Sequence, residues 1–239
     1  MLVAAAVCPS PPLLVPEVAA GAGPELDAAR DASLDALGLL AAARPDLLVV
    51  AGPAGPDGCG SFPAGSAGSF AGFGVDRTVR LGEAPSGAPA PRRPLPGSLA
   101  VGAWLLGHAR WDGAPVEGFG VAESLAADHC LRAGADLAAR AERVALLVMG
   151  DGSACRTVKA PGYLDERAAV FDAAVTRALA GADLDALSAL DESLAYELKA
   201  AGRAPWQVLA GAARDAGLGG QLLYEDAPYG VGYFVAAWS

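Results

Sequence analysis

The chain has 239 residues, 53% of them hydrophobic and 18% charged, and carries a formal net charge of −10 at pH 7. That composition is too apolar for a disordered chain and long enough to bury a sizeable core. The acidic balance argues against nucleic acid or an anionic membrane as partner, since both recruit basic patches, and no apolar run is long enough to span a bilayer.

The opening MLVAAAVCPSPP is apolar but has no basic flank. It is expected to be a first strand, Leu2 to Val7, and not a signal peptide. A stiff Pro-rich loop follows, and Pro24 opens a helical stretch to about Arg44, with Leu26, Leu34, Leu37 and Leu40 near one face. Asp46 to Ala51 reads as a second buried strand. Gly52 to Gly74, rich in Gly, Ser and Ala, reads as a long surface or site-covering loop, and Val75 to Leu81 as a further strand. The Pro-rich segment Ala84 to Gly97 is expected to be an exposed connection.

Beyond it, Ser98 to Arg110 predicts a helix, Val116 to Val121 a strand and Glu123 to Arg140 a helix. The run VALLVM from Val144 predicts a buried strand ending in Gly150-Asp151-Gly152-Ser153-Ala154. Helices are expected from Asp165 to Ala216 in three or four pieces, then two strand-like runs in QLLYEDAPYGVGYFVAAW. Strands alternating with helices, without an internal repeat, predict a single α/β domain. Its central sheet should be mainly parallel or mixed, with helices on both faces.

Chemistry-bearing residues are few. Cys8, Cys59, Cys130 and Cys155 show no metal-ligand spacing, and without a secretory signal they are expected to be reduced thiols in a cytoplasmic protein. The glycine pairs at Gly72 and Gly230 lack dinucleotide spacing. Ser153 follows a strand, but its surroundings are not a nucleophile elbow. A Ser hydroxyl satisfying a turn is the simpler reading. His108 and His129 are the chain's two histidines. A non-haem iron site needs two imidazoles and a carboxylate, so both would have to be ligands, leaving none for acid/base work. Asp151 stands at a strand end and Glu197 in a helical region; each has a structural reading, as a cap or a solvated charge.

Five segments in order, CPSPPLLVPEV, DLLVVAGPAGP, RVALLVMGDGSACR, GYLDERAAVFDAAVTRAL and LLYEDAPYGVGYFVAAW, resemble the class III extradiol ring-cleavage dioxygenase superfamily of LigB type. That superfamily also contains the Memo-like proteins. The resemblance spans nearly the full chain and implies a single α/β domain. It further implies Fe(II) held by two histidines and a glutamate, with another histidine as acid/base. The matching positions depart from this. The first ligand's turn is Pro9-Ser10-Pro11-Pro12, the second's is Gly52-Pro53-Ala54-Gly55, and Ala154 stands where the acid/base histidine would be. Glu197 is a loose match for the glutamate. The resemblance therefore implies a non-catalytic or repurposed member with no metal and no cofactor, binding a small molecule or a protein. Cys8, Ser10, Ala54, Asp151, Ser153, Ala154, Cys155 and Glu197 would line the cleft. The alternatives are an iron-dependent ring-opening dioxygenase, or another enzyme, using relocated residues in that cleft, and a structural component of a larger complex. The apolar helices also suit self-association.

Overall fold

Strand β1 (Leu2–Cys8) turns almost every side chain into protein, and it does so by alternation. Ala5 and Val7 enter one apolar cluster, while Ala4, Ala6 and Cys8 enter another on the opposite face. Strand β7 (Val144–Met149) repeats the pattern, with Val144, Leu146 and Val148 on one side and Ala145, Leu147 and Met149 on the other. Successive side chains of a strand point to opposite faces, so a strand covered on both reads as a continuous apolar run.

The computed structural model describes residues 1–84, 86–87 and 93–239. It forms a single α/β domain around a mixed seven-stranded sheet of order β3-β6-β2-β7-β1-β9-β8. The centre is parallel: β6 (Val116–Ala122), β2 (Leu47–Ala54), β7 and β1 run in one direction. Strand β3 (Gly60–Phe62) lies antiparallel at one edge. At the other, β9 (Tyr233–Trp238) runs antiparallel to β1, and β8 (Gly220–Asp226) antiparallel to β9. A separate ribbon joins β4 (Ala67–Ser69) to β5 (Thr78–Arg80).

One face carries α2 (Asp27–Ala42) and α3 (Gly97–His108), following the short α1 (Pro16–Ala19). The other carries α4 (Ala127–Ala138), α5 (Arg167–Gly181), α6 (Leu184–Ser188), α7 (Glu192–Glu197) and α8 (Arg203–Ala213). The loops leaving the carboxyl ends of β1 and β2 therefore pass to one face, and those leaving β6 and β7 to the other. Adjacent strands whose loops diverge leave a crevice at that edge.

Several expected boundaries shift. The segment 52–74 is no continuous loop: β2 runs on to Ala54, and β3 and β4 follow, because Gly118 and Gly120 on β6 leave room for β3 to pair beside them. The strand expected from Val75 is only Thr78–Arg80. The helix expected from Pro24 begins as a 3-10 turn and becomes α-helical at Asp27. The Pro-rich connection partly lies outside the described residues. Its described end is held: the Arg93 guanidinium sits 4.1 Å from the centroid of the Phe62 ring, and Leu95 is buried.

Helices α4 and α8 touch backbone to backbone. A Cβ at Gly134 would lie 2.0 Å from the Val208 carbonyl oxygen, and one at Gly211 would lie 2.1 Å from that of Leu131. No flexible side chain can yield there, so the helices themselves must separate. Gly134→Ala is expected to destabilise the fold by about 1–3 kcal/mol or more, read as a lowered midpoint in urea or heat. Gly38→Ala, which meets open space on α2, should be neutral or slightly stabilising.

Candidate functional site at the carboxyl edge

The loop Gly150–Arg156 leaves β7 at the middle of the sheet and is sewn down on every side. The Gly150 amide donates to the Cys8 carbonyl (3.0 Å) and the Gly152 amide to the Gly232 carbonyl (2.7 Å). In return the Gly232 amide donates to the Ser153 carbonyl (2.8 Å). The Ala154 amide donates to the Leu198 carbonyl (2.8 Å), and the Asp151 carbonyl accepts from the Gly202 amide (2.9 Å).

Beneath the loop is Asp172 of α5, fully buried. Its carboxylate accepts the Ser153 amide (2.8 Å), the Ser153 hydroxyl (2.8 Å) and the Arg156 guanidinium (3.0 Å). Burial pushes its pKa up, against the pull of these donors. The glycines of the loop make this possible. A Cβ at Gly152 would meet the Phe234 ring at 2.6 Å and Asp172 Oδ1 at 2.9 Å, and one at Gly232 would meet Asp172 Oδ2 at 2.7 Å. Ser153 Oγ is thus a donor to a buried carboxylate, rather than an acceptor for the turn's backbone amides, and its hydroxyl is sealed from solvent.

Asp151 points elsewhere. Ser10 and Asp151 each lie two residues beyond the Cys8–Met149 pair that ends the β1–β7 ladder, and Ala54 is the last residue of β2 on the other side of β7. The Ser10 amide donates to Asp151 Oδ1 at 2.7 Å. Asp151 Oδ2, Ser10 Oγ and Tyr233 Oη bond to no described residue. Asp151 keeps some solvent access, yet burial raises its carboxyl to about 7, opposed by the Ser10 hydrogen bond. The buried phenol of Tyr233 is pushed up by burial and by the nearby Asp151 charge.

The other expected site residues fall at different depths. Cys8 is buried beneath the edge, its thiol pushed up to about 12 by burial; Cys155 is buried with its thiol against the Leu198 carbonyl at 3.5 Å. Ala154 is buried in the loop's stitched part. Glu197 is exposed on α7 and pairs with Arg167 at 2.7 Å. It helps wall a cavity of about 440 Å³ with Glu123, Lys199 and Arg203. His108 stacks on Trp104 of α3, and His129 lies exposed on α4 beside Asp128 at 3.6 Å. Those helices cover opposite faces of the sheet, so the imidazoles do not converge. Among the described residues no three His, Cys, Asp or Glu side chains form a metal-binding group.

Two further residues matter that the sequence pattern did not single out. Asp172 had a signal: it shares a helical stripe with Ala168, Phe171, Val175 and Leu179, where a carboxylate requires buried partners. Arg203 had none, since its partners are carbonyls more than seventy positions away and a neighbouring Gln.

The Asp172 triad and the Asp151 carboxyl give distinct expectations. Asp172→Ala strands Arg156 and Ser153, and should cost about 3–5 kcal/mol in chemical denaturation. For Asp151 the folded pKa is the higher one. From about pH 4, where an unfolded aspartate ionises, to about pH 7, the folded state retains a proton that the unfolded state has lost. Stability should fall with rising pH across that window. Asp151→Asn keeps an acceptor for Ser10 and cannot ionise, so its melting temperature should lack that component and exceed the wild type's at pH 8.

No family model matches the chain, and no curated protein does. Among solved structures it is similar to an uncharacterized protein, JW3007, from Escherichia coli K12, at 16% sequence identity and a TM-score of 0.56 over 99% of each chain. That likeness is one of fold: the two chains share the α/β architecture along their whole length.

Proposed function

We propose that this chain is a member of the class III extradiol ring-cleavage dioxygenase superfamily whose carboxyl-edge crevice works without iron, holding a small hydrogen-bonding molecule or a segment of a protein partner. The five ordered segments support the family reading, and so does the α/β architecture with its loops diverging at the centre of the sheet. One observation carries the functional half. Just past the ends of β1 and β7, Ser10 and Asp151 are joined by a hydrogen bond, and Ala54 ends the neighbouring β2, so the three positions carry one carboxylate and no imidazole. A facial iron site needs two imidazoles and a carboxylate; alanine offers no lone pair, and a neutral hydroxyl is a weak ligand. The donor set does not fit Fe(II). It fits a ligand that bonds to a carboxyl, a hydroxyl and a phenol.

A second reading is enzymatic, and the Asp151 carboxyl favours it. A partly accessible carboxyl raised to about 7 divides its population between acid and base near neutrality, the poise a proton-transfer catalyst requires.

The test is metal analysis of untagged protein after anaerobic exposure to Fe(II), alongside oxygen uptake with catechols. The expected result is no stoichiometric iron and no ring cleavage. Bound iron at one per chain with turnover would overturn the metal-free reading. Installing Ser10→His and Ala54→His together should create Fe(II) affinity that the parent lacks, since two imidazoles would then flank Asp151.

A further inference from the structure

One wall of the cavity beside α8 carries a buried cation. Glu123, Ala195, Tyr196, Glu197, Lys199, Ala200 and Arg203 wall about 440 Å³, within the range of small-molecule sites. Arg203 is 3% exposed and pairs with no carboxylate among the described residues. Its Nη1 donates to the Leu125 carbonyl (2.6 Å) and to Gln207 Oε1 (2.9 Å), and its Nη2 to the Glu123 carbonyl. Gln207 is held in that orientation because its Nε2 donates to the carbonyls of Ser188 (3.2 Å) and Leu190 (3.1 Å).

A guanidinium has five N–H donors, and three are spent. The Nε hydrogen and one Nη2 hydrogen have no acceptor among the described residues, although Arg203 Nε is not among the atoms sealed without a partner; that describes Trp206 Nε1 alone among those residues. Arg203 Nε, which has no acceptor among the described residues and is not sealed, is therefore open at its edge, and the cavity that Arg203 lines is the space beside it. An uncompensated buried charge is costly, and a neighbouring anion relieves it. Lys199 adds a second cation on the wall. It sits in the left-handed conformation that ends α7, its Nζ 3.4 Å from the Pro161 carbonyl. Glu197 on the same wall is already neutralised by Arg167, leaving Glu123 as the wall's carboxylate without an ion pair among the described residues.

We infer that this cavity is a binding site for a small oxyanion, a carboxylate or a phosphate, received by the Nε–H of Arg203 with Lys199 beside it. The site uses neither Ser10, Ala54 nor Asp151. Iron found at the crevice would overturn the proposed function and leave this site standing.

The probes are sodium acetate and inorganic phosphate, with acetamide as the neutral control, added to the full chain in chloride-free buffer. Binding is followed by the Arg203 Nε–H resonance in ¹⁵N NMR and by calorimetry. Acetate or phosphate should shift that resonance saturably and acetamide should not; whichever anion binds tighter identifies the source of the oxyanion. Two of the three variants change exposed side chains, Glu123 and Lys199, where substitutions usually alter stability little. Glu123→Gln removes a repelling charge and should tighten binding several-fold, and Lys199→Ala should weaken it several-fold. Arg203→Gln should abolish it where that variant folds. Absence of a saturable shift with either anion, an equal response to acetamide, or affinities untouched by both exposed variants would overturn the inference.

Discussion

A buried carboxylate on one helix holds the centre of this protein together. Asp172 gathers the Ser153 amide, the Ser153 hydroxyl and the Arg156 guanidinium into one satisfied cluster below the loop that leaves β7. Burial raises the pKa of the carboxyl and those donors pull against the rise, and without the carboxyl the loop would lose the anchor that ties it to α5. The requirement spreads outward. Gly152 and Gly232 have no side chain because Asp172 and Phe234 occupy the space a Cβ would need. The Gly-Asp-Gly-Ser loop and the Gly-Val-Gly turn before β9 are thus two halves of one packing solution.

That anchoring decides what the carboxyl edge can do. Ser153, which sequence position alone offers as a nucleophile, is fully committed to Asp172 and sealed from solvent. Asp151, two residues earlier, lies on the other side of the loop and retains an unengaged oxygen. One loop therefore carries a structural hydroxyl and a chemically available carboxyl. The difference arises from the direction each side chain takes off a backbone pinned by amide–carbonyl bonds to β1, the turn before β9 and the start of α8.

The edge also holds two kinds of polar environment. Over β1, β7 and β2 the unspent groups are a carboxyl, a hydroxyl and a phenol, short of positive charge. Beside β6 the cavity has Arg203 and Lys199, with Glu197 balanced by Arg167. Burial works oppositely on the two: it lifts the Asp151 carboxyl toward neutrality, whereas a guanidinium stays charged and must find acceptors. The carbonyls of Glu123 and Leu125 and the Gln207 amide supply part of that demand.

The layered α/β architecture was legible in the sequence, because strands buried on both faces must be continuously apolar and helices buried on one face must be striped. LVAAAV, DLLVVA and VALLVM announced the parallel core, and helix-period Leu and Ala announced the covering layers. The lack of imidazole at positions 10, 54 and 154 was equally legible, since identity needs no coordinates. Short strands such as β3 and β4 were not, because three-residue pairings depend on a neighbour's backbone instead of their own pattern. Nor was the fate of the polar groups. Which of Asp151, Ser153 and Glu197 would be sealed, free or paired depends on partners across the fold, Ser10 at 141 positions and Asp172 at 19 among them. Hydrogen bonds and desolvation act between atoms that only the tertiary structure brings together, so identity was written in the chain and engagement was decided by packing.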